Sequence, residues 1–346
     1  MVNNRPGNKS PALNNTTISS IMFHTLLRKA YLPAGPVSVL AAFIIMIVSF
    51  SASGQGTERP VKFKDFVFDS VKLQANLIYK ENPAPGIRQK YYRFNFYEPA
   101  GDPALYRPLI IWLHGGGFKF GTKKSGGLPV WSKTFARRGY VCATINYRLS
   151  KKHPLRHFPD LLQGCADAVE DVHEAVQFFK QHYQQFRIDT SRIILGGNSA
   201  GGMIALQAVY SSPAEMAALI HSGDSTGAGA GVHNPQHIAA IINYWGALFD
   251  INWLKNSHTP IVSVHGNKDR VVPYDDKKPP IYGSLAIHRM ADSLQIPNRL
   301  KIYEGYSHEL QKHFNPFFAG RRTKKRWLEA GLFAADFLYE QLFRVK

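Results

Sequence analysis

The run IILGGNSAGG, Ile193 to Gly202, sets one hydroxyl among glycines where an apolar stretch ends. Two chemistries use a turn of this composition. One is anion binding, in which backbone N–H groups at a helix start cradle a phosphate. Spacing excludes it: a dinucleotide loop needs G-x-G-x-x-G and a P-loop needs Lys-Ser/Thr after its last glycine, whereas Gly202 is followed by Met203. The other is nucleophilic attack. Gly197, Ser199 and Gly201 read as G-x-S-x-G, a sharp strand-to-helix turn whose small neighbours let the serine Oγ stand clear of the chain.

A neutral serine hydroxyl is a weak nucleophile at pH 7, so this chemistry requires a base to take its proton and an acid to orient the base. Both are found just past other apolar runs: Asp269 follows PIVSVHG and His308 follows RLKIYEG. Serine, acid, histidine in chain order, each beyond a strand, is a known triad order. A tetrahedral intermediate also needs N–H donors aimed at its oxyanion. The glycines after PLIIWLH present such donors without a Cβ to block substrate, which assigns Gly116, Gly117 and Ala200 to that role. Rival groups are assigned blander roles. His265 is read as structural, His288 as an exposed residue of an amphipathic helix, and His114 as a group that orients the glycine loop. His313 is the rival base; Asp250, Asp275 and Asp276 are rival acids. Glu309 is read as an exposed loop residue.

The elements that must hold these groups follow from periodicity. Residues 61–98 alternate apolar and polar, as in VKFKDFVF and YYRFNFY, and predict antiparallel strands with one wet face. From Leu109 onward, short continuous apolar runs at 109–113, 140–147, 192–197, 238–246, 260–266 and 299–305 predict a parallel sheet buried on both faces. Between them, helices are expected at about 125–138, from Pro159 through Phe179 with Asp160 as cap, and at 200–211, 280–295 and 324–343. Strands alternating with helices give a doubly wound α/β sheet, whose crevice lies beyond the carboxyl ends of its strands. The segment 222–236, rich in glycine and alanine, reads as a flexible loop.

The first part of the chain has a different character. Residues 1–36 carry Arg5, Lys9, Arg28 and Lys29 and no acid, followed by the apolar Val37 to Phe50 and the small-residue run SASGQG. That order predicts a secretory signal within a leader over 1–54, with Met22 as an alternative start, and a secreted or periplasmic protein. The apolar core is 14 residues, short of the roughly 20 that span a bilayer as a helix. Stable membrane insertion after cleavage is therefore not expected, an uncleaved anchor being the second reading. Residues 55–346 are expected to form one catalytic domain without a large cap. The net charge of +18 comes from 42 Lys and Arg against 24 Asp and Glu, dispersed along the chain. With no zinc-ligand spacing, RNP signature or basic heptad helix, nucleic acid is not an expected partner. Cys142 and Cys165 lie in different elements and are read as two separate buried thiols, with a disulfide the alternative in an oxidising compartment.

HGGGF, GGNSAGG and INYRL together resemble the esterase/lipase branch of the α/β-hydrolase superfamily, over about residues 105–343. The resemblance implies an α/β-hydrolase fold with a mostly parallel central sheet, antiparallel N-terminal strands and helices on both faces. It implies a carboxylic ester hydrolase working without cofactor or metal, with Ser199, Asp269 and His308 as its triad. The expected substrates are small-molecule or saccharide esters, short-acyl or aryl in kind. The chain departs from the pattern of many hormone-sensitive-lipase-like members in having Asn198 rather than aspartate before the serine, and strands rather than a helical cap ahead of HGGG. HGNKDRVVPYD and YSHEL are closer to the feruloyl-esterase and dienelactone-hydrolase-like side. A prolyl-oligopeptidase-like peptidase and a non-catalytic binding protein on the same fold are the alternative functions.

Overall fold

The strands of the computed structural model, which describes residues 59–222, 236–275 and 281–344, lie in a single sheet. They are β1 Val71–Ile78, β2 Arg93–Pro99, β3 Arg107–Leu113, β4 Val141–Ile145, β5 Ile188–Asn198, β6 Ala240–Tyr244, β7 Ile261–Gly266 and β8 Asn298–Tyr303. Their order across the sheet is β1-β2-β4-β3-β5-β6-β7-β8. β1 and β2 run antiparallel to their neighbours, and every pairing from β4 to β8 is parallel. The apolar runs thus became the strands they predicted: β3, β4, β6 and β7 are buried at every position, since strands covered on both faces have no polar side to alternate with, while β8 at the edge is half-buried throughout.

Residues of one strand divide between two cores. Leu109, Ile111 and Leu113 of β3 face one layer, and Ile110 and Trp112 face the other, as the two-residue period of a strand dictates. The first layer is covered by α2 Phe158–Gln181, α3 Ala200–Tyr210, α4 Pro213–Ser222 and α5 Ser284–Ser293; the second by α1 Leu128–Ala136 and α6 Arg321–Leu342. α3 is buried along its whole length, the property of a helix that is apolar all round. Arg148, after β4, ties that loop to α2: its Nε donates to Asp171 Oδ1 at 2.7 Å and its backbone N–H to Oδ2 at 2.7 Å.

The chain leaves β3 toward β4 on one side and returns to β5 on the other. A crevice therefore opens at the carboxyl ends of β3 and β5, where the strand order reverses.

Several expectations require correction. Residues 61–68 form no strand; Phe63 stacks on Phe343 with ring centroids 4.3 Å apart, and the N–H groups of Phe63, Val67 and Phe68 bond to the carbonyls of Arg138 and Arg137. Their alternation reflects docking on the end of α1 rather than a pleat. Asp160 lies in the first turn of α2, whose N-cap is His157, and it accepts from the His153 N–H at 3.0 Å. α4 is an additional helix that apolar spacing did not single out. The leader over 1–54, nearly all of the expected loop at 222–236, and Asp276 lie outside the described residues. Cys142 and Cys165 are free and buried on opposite faces of the sheet. Among the described residues, no single helix is long and apolar enough to cross a membrane.

Candidate active site

Ser199 stands between β5 and α3 with φ 54° and ψ −122°, a conformation that is strained for any residue with a Cβ. Its neighbours explain how the turn closes so tightly. A Cβ on Gly197 would lie 2.3 Å from the Gly201 carbonyl carbon, and one on Gly201 only 2.0 Å from the Leu113 carbonyl oxygen. Only glycine at both positions lets the elbow pack against the end of β3. The Ser199 N–H donates to the Tyr244 carbonyl at 2.9 Å, which fixes the elbow to β6.

Asp269 sits in the turn after β7. Its Oδ1 accepts from the N–H groups of Val271 at 2.8 Å and Val272 at 3.0 Å, leaving Oδ2 for histidine. His308 begins a 3-10 turn, His308–Leu310, after β8. α6 pins that turn, because Trp327 Nε1 donates to the Glu309 carbonyl at 2.9 Å and Arg326 Nε to the Leu310 carbonyl at 2.7 Å. Phe314 packs edge-on against the His308 ring at 5.0 Å.

The three side chains predicted from sequence are brought into one line. His308 Nδ1 is 2.7 Å from Asp269 Oδ2, and His308 Nε2 is 2.9 Å from Ser199 Oγ. Burial alone would raise the Asp269 carboxyl, but hydrogen bonds from His265 and His308 outweigh it and hold the group well below the usual carboxylate range. An ionised Asp269 requires a proton on His308 Nδ1, so Nε2 is the atom open to accept from Ser199.

The glycine loop adjoins the elbow: a Cβ on Gly115 would be 3.2 Å from Ser199 Cβ. Gly116 and Gly117 have φ 120° and 59°. Among the described residues, the N–H groups of Gly116, Gly117 and Ala200 donate to no backbone carbonyl in a turn, loop or cap. Ala200 is the first residue of α3, where a helix leaves its N–H without an internal acceptor. Ala200 directly follows the serine, and Gly116 and Gly117 follow Gly115, which packs against it.

The rivals fall into other roles. His114 bonds through Nδ1 to the Gly115 carbonyl at 2.8 Å and stacks on Tyr147 at 4.2 Å; burial pushes its ring down to about 4, so it is neutral at pH 7. It orients the loop, with the Tyr147 hydroxyl donating to its carbonyl at 2.6 Å. His265 is fully buried, bonded to Ser284 Oγ at 2.8 Å and the Val272 carbonyl at 3.0 Å, and its Nε2 lies 3.3 Å from Asp269 Oδ2. Its structural reading stands, with the acid of the site as what it supports. His313 is exposed and makes no bond to Ser199. Asp250 accepts from the Asn252 N–H at 2.9 Å and Asp275 pairs with Arg289 at 3.3 Å.

Two expectations are overturned. His288 is buried, not exposed, with Nδ1 2.6 Å from Asn298 Oδ1. Glu309 is half-buried, and burial raises its carboxyl above the ordinary value. Asn198 wedges under the glycine loop: a Cβ on Gly115 would meet its Nδ2 at 2.8 Å, and its Oδ1 is buried without a hydrogen-bond partner. Sequence reasoning missed Phe314, Trp327 and Arg326 as supports of the His308 turn. The basic and aromatic residues after His308 were the available signal.

A family model described as BD-FAE matches residues 94–248. Among curated proteins, the chain is 29% identical to gut esterase 1 of Caenorhabditis elegans over 30% of this chain and 18% of the relative. It is 32% identical to arylacetamide deacetylase of Bos taurus over 32% of this chain and 26% of the relative. The chain thus spans about a quarter or less of the length of these two relatives. Among solved structures, Thermogutta terrifontis esterase 2 phosphorylated by paraoxon aligns with TM-score 0.53 and 21% identity, covering 80% of this chain and 96% of that one. This last likeness is one of fold. With the sheet order, the elbow and the glycine loop, these likenesses show an α/β-hydrolase fold, and the relatives that the chain resembles are an esterase and a deacetylase.

Proposed function

We propose that the protein is a secreted serine carboxylic ester hydrolase that forms an acyl-enzyme on Ser199. The observation that carries this reading is the unbroken hydrogen-bond run from Ser199 Oγ through His308 to Asp269 Oδ2. Ser199 Oγ attacks the ester carbonyl carbon as His308 Nε2 takes its proton, and Asp269 stabilises the imidazolium. The carbonyl oxygen becomes an oxyanion held by the N–H groups of Gly116, Gly117 and Ala200. The C–O bond to the alcohol then breaks, with His308 returning the proton to the leaving oxygen. Water, deprotonated by the same histidine, attacks the acyl-enzyme; the acid departs and Ser199 regains its proton.

The substrates in this reading are short-acyl or aryl esters, esters of saccharides included. Relatives named as esterases and an arylacetamide deacetylase support the class of reaction. The segment between β6 and β7 holds only a 3-10 turn, Ile251–Asn256, and the exposed Phe120, Leu155 and Phe317 supply apolar surface near the glycine loop or past His308. Export rests on the basic, apolar, small-residue order of the leader.

The test is turnover of p-nitrophenyl acetate and butyrate by the purified protein. Ser199→Ala is expected to lose activity by about 10⁴-fold or more, as removal of a triad nucleophile does. Activity unchanged in that variant would overturn the reading. Faster turnover of p-nitrophenyl palmitate than of acetate would sink the short-acyl assignment, and hydrolysis of aminoacyl anilides but not esters would favour a peptidase.

A further inference from the structure

One cavity is walled by residues other than Ser199. It lies beside the acid of the triad, between the turn after β7 and the segment that follows β8. Its volume of about 890 Å³ is in the range of small-molecule sites, roughly 300–1,000 Å³. Asp269 and Phe314 belong to its wall, and both also touch His308, so the cavity and the reacting histidine share two side chains.

Cations outnumber carboxylates in its wall, three to two. Lys268, Arg270 and Lys312 line it, together with His313. Among the described residues, none of the three cations has a carboxylate partner. The carboxylates that face them are already engaged: Asp269 is bonded to His308 and the N–H groups of Val271 and Val272, and Asp275 is paired with Arg289. Three unneutralised cations converging on a concave wall raise the local concentration of anions and favour an anionic group of a bound molecule. Phe314 and Tyr274 add aromatic surface to the same wall.

We infer that this cavity is a subsite for a carboxylate carried by the ester substrate, held by Lys268, Arg270 and Lys312 while the ester carbon lies at Ser199. The inference rests on the ester-hydrolase reading and names a substrate class within it: monoesters of diacids, or esters of acidic molecules, in preference to neutral esters of the same length.

The experiment compares p-nitrophenyl monoesters of linear diacids of increasing length with p-nitrophenyl esters of uncharged acyl chains of equal length. The expected result is a kcat/KM ratio favouring the charged series at one or more lengths and shrinking as salt rises. Lys268→Glu combined with Lys312→Glu should lower that ratio by about tenfold, the scale of reversing charges that steer and hold a ligand. Lys72→Glu, on β1 at the opposite edge of the sheet, should leave the ratio where it was. A ratio at or below one at every length, or one that both charge reversals change alike, overturns the inference while leaving ester hydrolysis intact. Should the protein hydrolyse no ester, calorimetric titration of the Ser199→Ala protein with adipate decides the matter separately. Salt-sensitive binding that is lost in Lys268→Glu/Lys312→Glu supports the subsite, and absence of binding refutes it.

Discussion

Asp269 is worked from several sides at once. Its two oxygens receive two backbone N–H groups and face two imidazoles, so a group that burial alone would push toward its neutral form stays ionised. The consequence for stability has a definite sign. A carboxylate with a depressed folded pKa contributes stability that is fully present above its unfolded value, about 3.9, and is lost as pH falls from there through the folded pKa. Asp269→Asn should therefore remove part of the acid destabilisation seen below about pH 4, measured as Tm against pH for both proteins. The same variant should lose about 10⁴-fold in kcat, because the amide no longer fixes the Nδ1–H tautomer of His308. Identical pH profiles of Tm would contradict the account. The triad was legible in the sequence because each member lies two or three residues past an apolar run. The support of Asp269 by His265 was not, since the four-residue spacing on a strand-turn segment gives no hint that the turn folds the carboxylate back on the ring.

Among the elements, α5 shows how a correct helix was misread in its orientation. Its buried positions are Ser284, Ile287, His288 and Ala291, an i, i+3, i+4, i+7 stripe in which two members are polar. Apolar spacing alone reads the face from Ile287 and its neighbours and leaves His288 outside. In the fold, His288 bonds to Asn298 at the start of β8, and its Nε2 is buried without a partner. Burial pushes the ring down to about 4. A histidine with a lowered folded pKa favours folding while neutral, so its contribution is present above about 6.5 and is lost as pH falls toward 4, where the unfolded chain binds the proton first. His288→Leu should flatten the fall in stability over that window by about 2–3 kcal/mol, read from urea unfolding at several pH values. An unchanged slope between pH 6.5 and 4 would refute it. The strands were legible because continuous burial leaves a continuous apolar signature. Residues 61–68 were not, because Phe63 and its neighbours alternate to dock on α1 and Phe343 rather than to pair with a strand.

For the whole molecule, the sheet separates what the sequence brought near. Cys142 faces the layer with α1 and α6, and Cys165 the layer with α2 and α3. Burial raises both thiols above their ordinary range. The native protein should therefore give no fast reaction with a thiol reagent and two equivalents on unfolding, and a reductant should leave its Tm unchanged; a drop in Tm on reduction would mean that the two are joined. The positive φ of Ser199 has a further consequence, for the trade between working and enduring. An L residue at that geometry costs about 1–3 kcal/mol, which glycine avoids. Ser199→Gly should accordingly melt at a higher temperature than the parent while losing its chemistry, and Ser199→Ala, which keeps the Cβ, should not share that gain. The elbow would then be a point where selection for turnover holds the whole chain below the stability its own fold allows.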